Sequence, residues 1–156
     1  MKGRTAAYAL VAIGLAIAVP AWADDGCELT HAPGTSKLTV RVNGIRAAKG
    51  EVAITVYPDD KRRFLAPKSK LARVRIPAVA SVHACFWVQP GYYAVAIYHD
   101  ANADHNFNRT LMGLPAEGFG FSNDPETKVG LPPFSAVRFK VSSEDTTIAI
   151  QTRYLR

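Results

Sequence analysis

Beyond residue 23 this chain has no apolar run long enough to cross a membrane as a helix, and almost no stretch in which apolar residues recur with a helical period. The first absence excludes a transmembrane segment in the mature part; the second excludes helical bundles and folds that alternate strand with helix. No internal repeat and no low-complexity tract occurs. Nucleophile elbows, phosphate-binding glycine loops and zinc-protease helices are also missing. Gly113, Gly118 and Gly120 are too irregularly spaced for a dinucleotide fingerprint and open no helix. Cysteine is scarce, with only Cys27 and Cys85, and neither follows the leader closely enough to accept a lipid.

What is present begins with that leader. Lys2 and Arg4 form a positive start, residues 6–19 are almost wholly apolar, and Ala21-Trp22-Ala23 has the small-x-small form of a signal-peptidase site. Cleavage is expected before Asp24, giving a mature domain of residues 24–156 in the periplasm or outside the cell. The sequence carries 19 basic and 13 acidic residues; without Lys2 and Arg4 the balance is 17 against 13, a formal +4. Export removes the chain from cytoplasmic nucleic acid, so no nucleic-acid partner is expected. The partners to expect are envelope components: an anionic surface, a glycan or a protein. An even cysteine count in an oxidising compartment predicts a Cys27–Cys85 disulfide, tying the mature N-terminus to a central strand.

Period-two alternation marks the strands. In residues 37–45, Leu38, Val40 and Val42 share one face; in 50–57, Val52, Ile54 and Val56 do the same, and these two strands are expected to pair antiparallel. A short strand ends at Pro77, another covers 80–88, and an apolar run at 93–98 suits a central strand. Two more are expected at 134–141 and 146–154. About seven short strands predict an all-β fold, a single antiparallel sandwich or a small barrel. Seven basic residues and no acid lie between Lys61 and Arg75, readable as a blunted edge strand or as a contact for an anionic partner.

Residues 99–121 break the pattern. Side-chain oxygens recur at Asp100, Asn102, Asp104, Asn106 and Asn108, the register of a calcium loop, with Glu117 placed to reach back as a further acid. His105 and Leu111 stand where such loops carry glycine and a bidentate acid, so any calcium affinity should be weak, about 10⁻⁴ to 10⁻³ M. Two other readings stay open: Asp and Asn capping their own backbone in turns, and a transition metal on His99 and His105. His99, Phe119 and Phe121, with Phe107 and Phe134 near in sequence, suggest either a binding surface for a glycan or peptide or aromatic pins for the loop.

Several stretches together resemble the bacterial family catalogued as domain of unknown function 2141. They are the Leu-x-Val-x-Val strand ending in Asn43-Gly44-Ile45, Gly50-Glu51-Val52, Pro90-Gly91-Tyr92-Tyr93, His99-Asp100-Ala101-Asn102, the run from Gly113 to Asn123, and Pro132-Pro133-Phe134-Ser135-Ala136. The resemblance implies an exported protein with a transthyretin-like or immunoglobulin-like sandwich and no established activity. Family members tend to carry Asp-Glu-Asn-Gly-Asn-Gly in the loop, where this chain has Asp100-Ala101-Asn102-Ala103-Asp104-His105. Two glycines that would supply backbone freedom are therefore absent. The expected function is a non-catalytic binding or structural module of the envelope. The alternative is a small periplasmic hydrolase acting on envelope glycan through Asp100 and Glu117.

Overall fold

The computed structural model describes residues 26–127 and 131–155; the leader expected at residues 1–23 lies outside them. Eight strands follow one another: β1 Ser36–Asn43, β2 Glu51–Pro58, β3 Ala72–Pro77, β4 Ser81–Val88, β5 Gly91–Asp100, β6 Gly118–Phe121, β7 Phe139–Val141 and β8 Thr146–Gln151, with one helical turn, α1 Phe134–Val137, before β7. They form two sheets, one ordered β4-β1-β8, the other β3-β2-β5-β6 with β7 also on β5. Among the described residues no helix is long and apolar enough to cross a membrane.

The alternating side chains place the core. Leu38, Val40 and Val42 of β1 meet Val52, Ile54 and Val56 of β2 in one cluster, joined by Phe86 of β4, Val95 and Ile97 of β5, Val141 of β7 and Ile150 of β8. Each such side chain taken fully out of water contributes about 1.5–3 kcal/mol relative to exposure. The three-stranded sheet is apolar on that inner face only, as the alternating burial of β1 shows. By contrast, β2 and β5 are buried on both faces over most of their length.

Four sequence expectations are corrected. The first two apolar strands do not pair: β1 lies between β4 and β8, and β2 between β3 and β5. Alternation requires that an apolar face be covered, and a facing sheet covers it as well as a neighbouring strand would. The 44–50 connection crosses between the sheets, burying Ile45 in the core on the way. At Gly50, φ is +72°, and a Cβ would lie 2.0 Å from the Asp100 carbonyl oxygen. The sheets are also not wholly antiparallel, because β8 runs parallel to β1.

The expected strand at 134–141 is divided. Pro133, extended at φ −64°, precedes a turn of helix that sends Val137 outward before Phe139 and Val141 return to the inner core. Finally, the loop contains β6, whose alternation was hidden because its inward positions are glycine. A Cβ at Gly118 would lie 2.4 Å from the Tyr154 ring, and one at Gly120 2.7 Å from Ile150 Cγ2.

The Cys27–Cys85 disulfide forms as expected. It lies on the outer side of β4, beside a short ladder in which Glu28 N–H donates to the Cys85 carbonyl at 2.9 Å and Trp87 N–H to the Glu28 carbonyl at 3.0 Å. His31 stacks on Trp87 with ring centroids 4.0 Å apart. A cross-link over 58 residues restricts the unfolded chain by about 4 kcal/mol in the loop-entropy account. Its presence fits an oxidising, extracellular compartment.

Candidate functional site

The outer face of the five-stranded sheet is built in cross-strand rows. Arg73 of β3 is opposite Thr55 of β2, which is opposite Ala96 of β5, which is opposite Phe121 of β6. The next row runs Arg75, Ala53, Tyr98, Phe119. Neighbours in such rows stand about 5 Å apart at Cβ, so their sizes determine the relief of the surface. Ala53, Thr55, Ala94 and Ala96 are short, while arginines and aromatic rings rise on either side. A trough follows from that ordering.

The trough is closed into a cleft of about 410 Å³. Thr55, Ala96 and Tyr98 form its floor, Tyr57, Phe107, Phe119 and Phe121 contribute rings, and Leu65, Leu114, Leu131 and Leu155 stand at its edge. These four leucines are all exposed, between 36% and 55%. The rings pack edge-on to one another, Tyr98 against Phe107 at 5.6 Å and Phe107 against Phe119 at 6.2 Å, which fixes the cleft's shape. Among the described residues Arg73 and Arg109 are its only charged lining residues. Burial pushes the Tyr57 phenol up, while the Arg73 guanidinium beside it acts in the opposite direction.

One wall of the cleft belongs to the long loop, held in place by its own polar groups. Asp100, at the end of β5, is fully buried. Its carboxylate accepts the N–H groups of Asp104 at 3.2 Å and His105 at 2.8 Å, and pairs with Arg75 at 3.2 Å. Arg75 donates further to the Tyr98 hydroxyl at 2.7 Å and the His105 carbonyl at 3.1 Å, and its Nη1 lies 3.7 Å from Glu51. Asp104 accepts from the side chains of Asn108 and Asn102 and from the Asn106 N–H, each at 2.8 Å. These bonds, that of Asn108 foremost, hold its carboxyl below the usual aspartate range. Glu117 accepts the Asn108 N–H at 3.0 Å. Its carboxyl is pushed up, first by burial and then by the charges of Asp100 and Asp104, with the N–H bond opposing.

Ala103 and His105, at φ +56° and +66°, adopt the left-handed backbone that glycine takes at least cost. The loop keeps a glycine geometry without glycine. Further along, Gly113 N–H donates to the Thr110 carbonyl, closing a turn whose tip exposes Leu111 and Met112 almost completely.

The residues singled out from the sequence therefore separate into groups. Asp100, Asn102, Asp104, Asn106, Asn108 and Glu117 do gather in one loop, with their oxygens largely engaged by N–H donors. Among the described residues no set of three or more His, Cys, Asp or Glu side chains is placed to hold a metal ion. His99 lies on the other side of β5, 3% exposed, with Nε2 bonded to the Lys49 carbonyl and Nδ1 facing the Tyr154 hydroxyl, each at 2.8 Å. Because a carbonyl can only accept, Nε2 carries the hydrogen. His99 is not brought together with Phe119 and Phe121, which line the cleft. Ser122 is buried, receiving the Val95 N–H at 3.0 Å and donating to the Val137 carbonyl. Of the basic run, Lys61, Arg62, Arg63, Lys68 and Lys70 are exposed, while Arg73 and Arg75 turn onto the outer sheet face.

Thr55, Tyr57, Ala96 and Tyr98 are not singled out by the sequence, and Arg73 figures there only as one of the basic run. Two signals pointed to them: arginine at alternate positions in β3, and alanine at alternate positions in β5, each on the face opposite the apolar one.

No curated protein and no solved structure matches this chain significantly. The model for a family of uncharacterized proteins conserved in bacteria, DUF2141, matches residues 40–149, which take in six of the strands whole and nearly all of the cleft and its wall, and the chain belongs to that family.

Proposed function

We propose that this chain is an exported, non-catalytic binding module whose working site is the cleft on the outer face of the five-stranded sheet, with the 99–121 loop as one wall. The observation that carries the reading is the cleft itself. At about 410 Å³ it falls within the size range of small-molecule sites, about 300–1,000 Å³, and like them it is mostly apolar with a few polar groups. Export is supported by the leader in the sequence and by a disulfide suited to an oxidising compartment. The partner is then a small envelope component with an apolar body.

The hydrolase alternative draws less support. Asp100 and Glu117 are not among the residues lining the cleft, and Asp100 is neutralised by Arg75. For calcium, an ion in the loop would have to displace the N–H donors that already occupy Asp100, Asp104 and Glu117, so we assign the loop's order to its own side chains.

A neutral naphthylamine fluorophore, whose emission rises on leaving water, tests the site. The folded protein should enhance its emission saturably, and Ala96→Phe, which fills the floor, should weaken binding about tenfold or more at an unchanged melting temperature. Equal binding by the filled variant would place the site elsewhere.

A further inference from the structure

Arg73 and Arg75 stand two positions apart on one face of β3, and they are used differently. Arg75 has Asp100 at 3.2 Å, Glu51 at 3.7 Å, the Tyr98 hydroxyl and the His105 carbonyl, so its charge is neutralised and its donors are taken. Arg73 gives its Nε–H to the Thr55 hydroxyl at 2.7 Å, lies beside Tyr57 and Tyr98, and among the described residues has no carboxylate partner. Half-buried in an apolar cleft, an unneutralised guanidinium loses hydration without a counter-charge, a costly arrangement unless something supplies one.

The second cation of the cleft, Arg109, is exposed but likewise lacks a counter-charge among the described residues. Arg109 donates to the Gly113 carbonyl at 3.0 Å and lies 5.2 Å from the centre of the Phe107 ring, again with no acid beside it among the described residues. Among the described residues no acidic side chain lines the cleft. Around both cations the lining is rings and leucines, and the leucines continue outward to the exposed edge. An apolar patch that begins at the surface and leads into a cavity is suited to a tail, and a guanidinium inside it to an anionic head, which it can hold through paired N–H bonds.

Resting on the cleft as the binding site, we infer that its ligand is a single-chain anionic amphiphile: an alkyl chain against Phe107, Phe119 and the edge leucines, with a carboxylate or phosphate head on Arg73 and Arg109 as the second cation. The head supplies the counter-charge that Arg75 obtains from Asp100 and Arg73 lacks. Thr55 acts as a positioning residue, turning the guanidinium by holding its Nε–H. Selection between head groups then depends on charge, because a neutral head leaves Arg73 desolvated and unpaired.

The test is displacement of the neutral naphthylamine fluorophore from the folded full-length mature chain by decanoate, decyl phosphate and decanol. Decanoate or decyl phosphate should displace it at a concentration about tenfold lower than decanol, the scale of one charge-assisted hydrogen bond. Whichever acid is preferred identifies the head. In Arg73→Gln the preference should vanish while decanol is unaffected, and Arg73→Lys should keep part of it, which shows that the Gln variant has lost a charge and not its fold. Equal displacement by acids and alcohol in the wild type, or a preference that survives Arg73→Gln, overturns the inference and leaves the cleft standing. If the fluorophore itself does not bind, the cleft reading fails and the inference with it.

Discussion

The loop and the cleft behind it differ in what they have done with their polar groups. In the loop nearly every acid and amide is bonded to another part of the same loop or to Arg75. In the cleft, space is left open and, among the described residues, two guanidiniums are left without acids. On the proposed reading the segment dense in chemically capable residues holds itself together, and a segment of alanines and rings leaves the room for a ligand. Capable residue types identify a site only when their bonding capacity is still free.

The strongest way to break this comparison is to remove Asp100. Asp100→Ala leaves Arg75 with Glu51 as its one carboxylate among the described residues and frees the Asp104 and His105 N–H groups, and loss of one partner of a buried pair costs about 3 kcal/mol or more. Chemical denaturation should show that loss. Near-wild-type stability would mean that the loop is not held by its acids.

The inner core was the most legible part of the molecule. Leu38, Val40, Val42, Val52, Ile54 and Val56 all face inward as their alternation required, and the two cysteines join. Which strands lie side by side was not legible, since β1 and β2 satisfy the same pattern by facing each other. β6 was hidden because Gly118 and Gly120 carry no side chain to show a period, although Tyr154 and Ile150 require that absence. The cleft was least legible of all. Arg73, Thr55, Ala96 and Phe121 become neighbours only through the register of four strands, which no local pattern specifies.

A smaller effect of opposite sign sharpens the account of the loop. Ala103 is exposed and left-handed, so Ala103→Gly should stabilise the protein by about 1 kcal/mol, seen as a raised denaturation midpoint. No gain would mean that the loop does not hold this backbone in solution.

Glu117 offers a pH test smaller still. Its folded pKa is raised, so the folded state binds the proton more tightly than the unfolded chain does. The associated stability is fully present below the unfolded value and is lost as pH rises through the folded one. Glu117→Gln should therefore gain stability relative to wild type as pH rises across that window and match it more closely below, while its oxygen still accepts the Asn108 N–H. A variant that instead loses ground as pH rises would reverse the assigned sign. The smallest effect expected is that of calcium. At millimolar concentration the melting temperature should move by no more than about a degree, because binding confined to the folded state must raise stability and the loop's oxygens are already engaged. A rise of several degrees, absent in Asp104→Ala, would make the loop a metal site.

The most direct measurement is a backbone amide map by nuclear magnetic resonance, recorded while the neutral fluorophore is added to a protein of residues 24–156. If the cleft is the working site, the amides of Thr55, Ala96, Tyr98 and Phe121 shift in proportion to occupancy, and those of Asn102, Asp104 and Asn106 stay where they are. Shifts confined to the acidic loop, with the cleft floor unmoved, would contradict it.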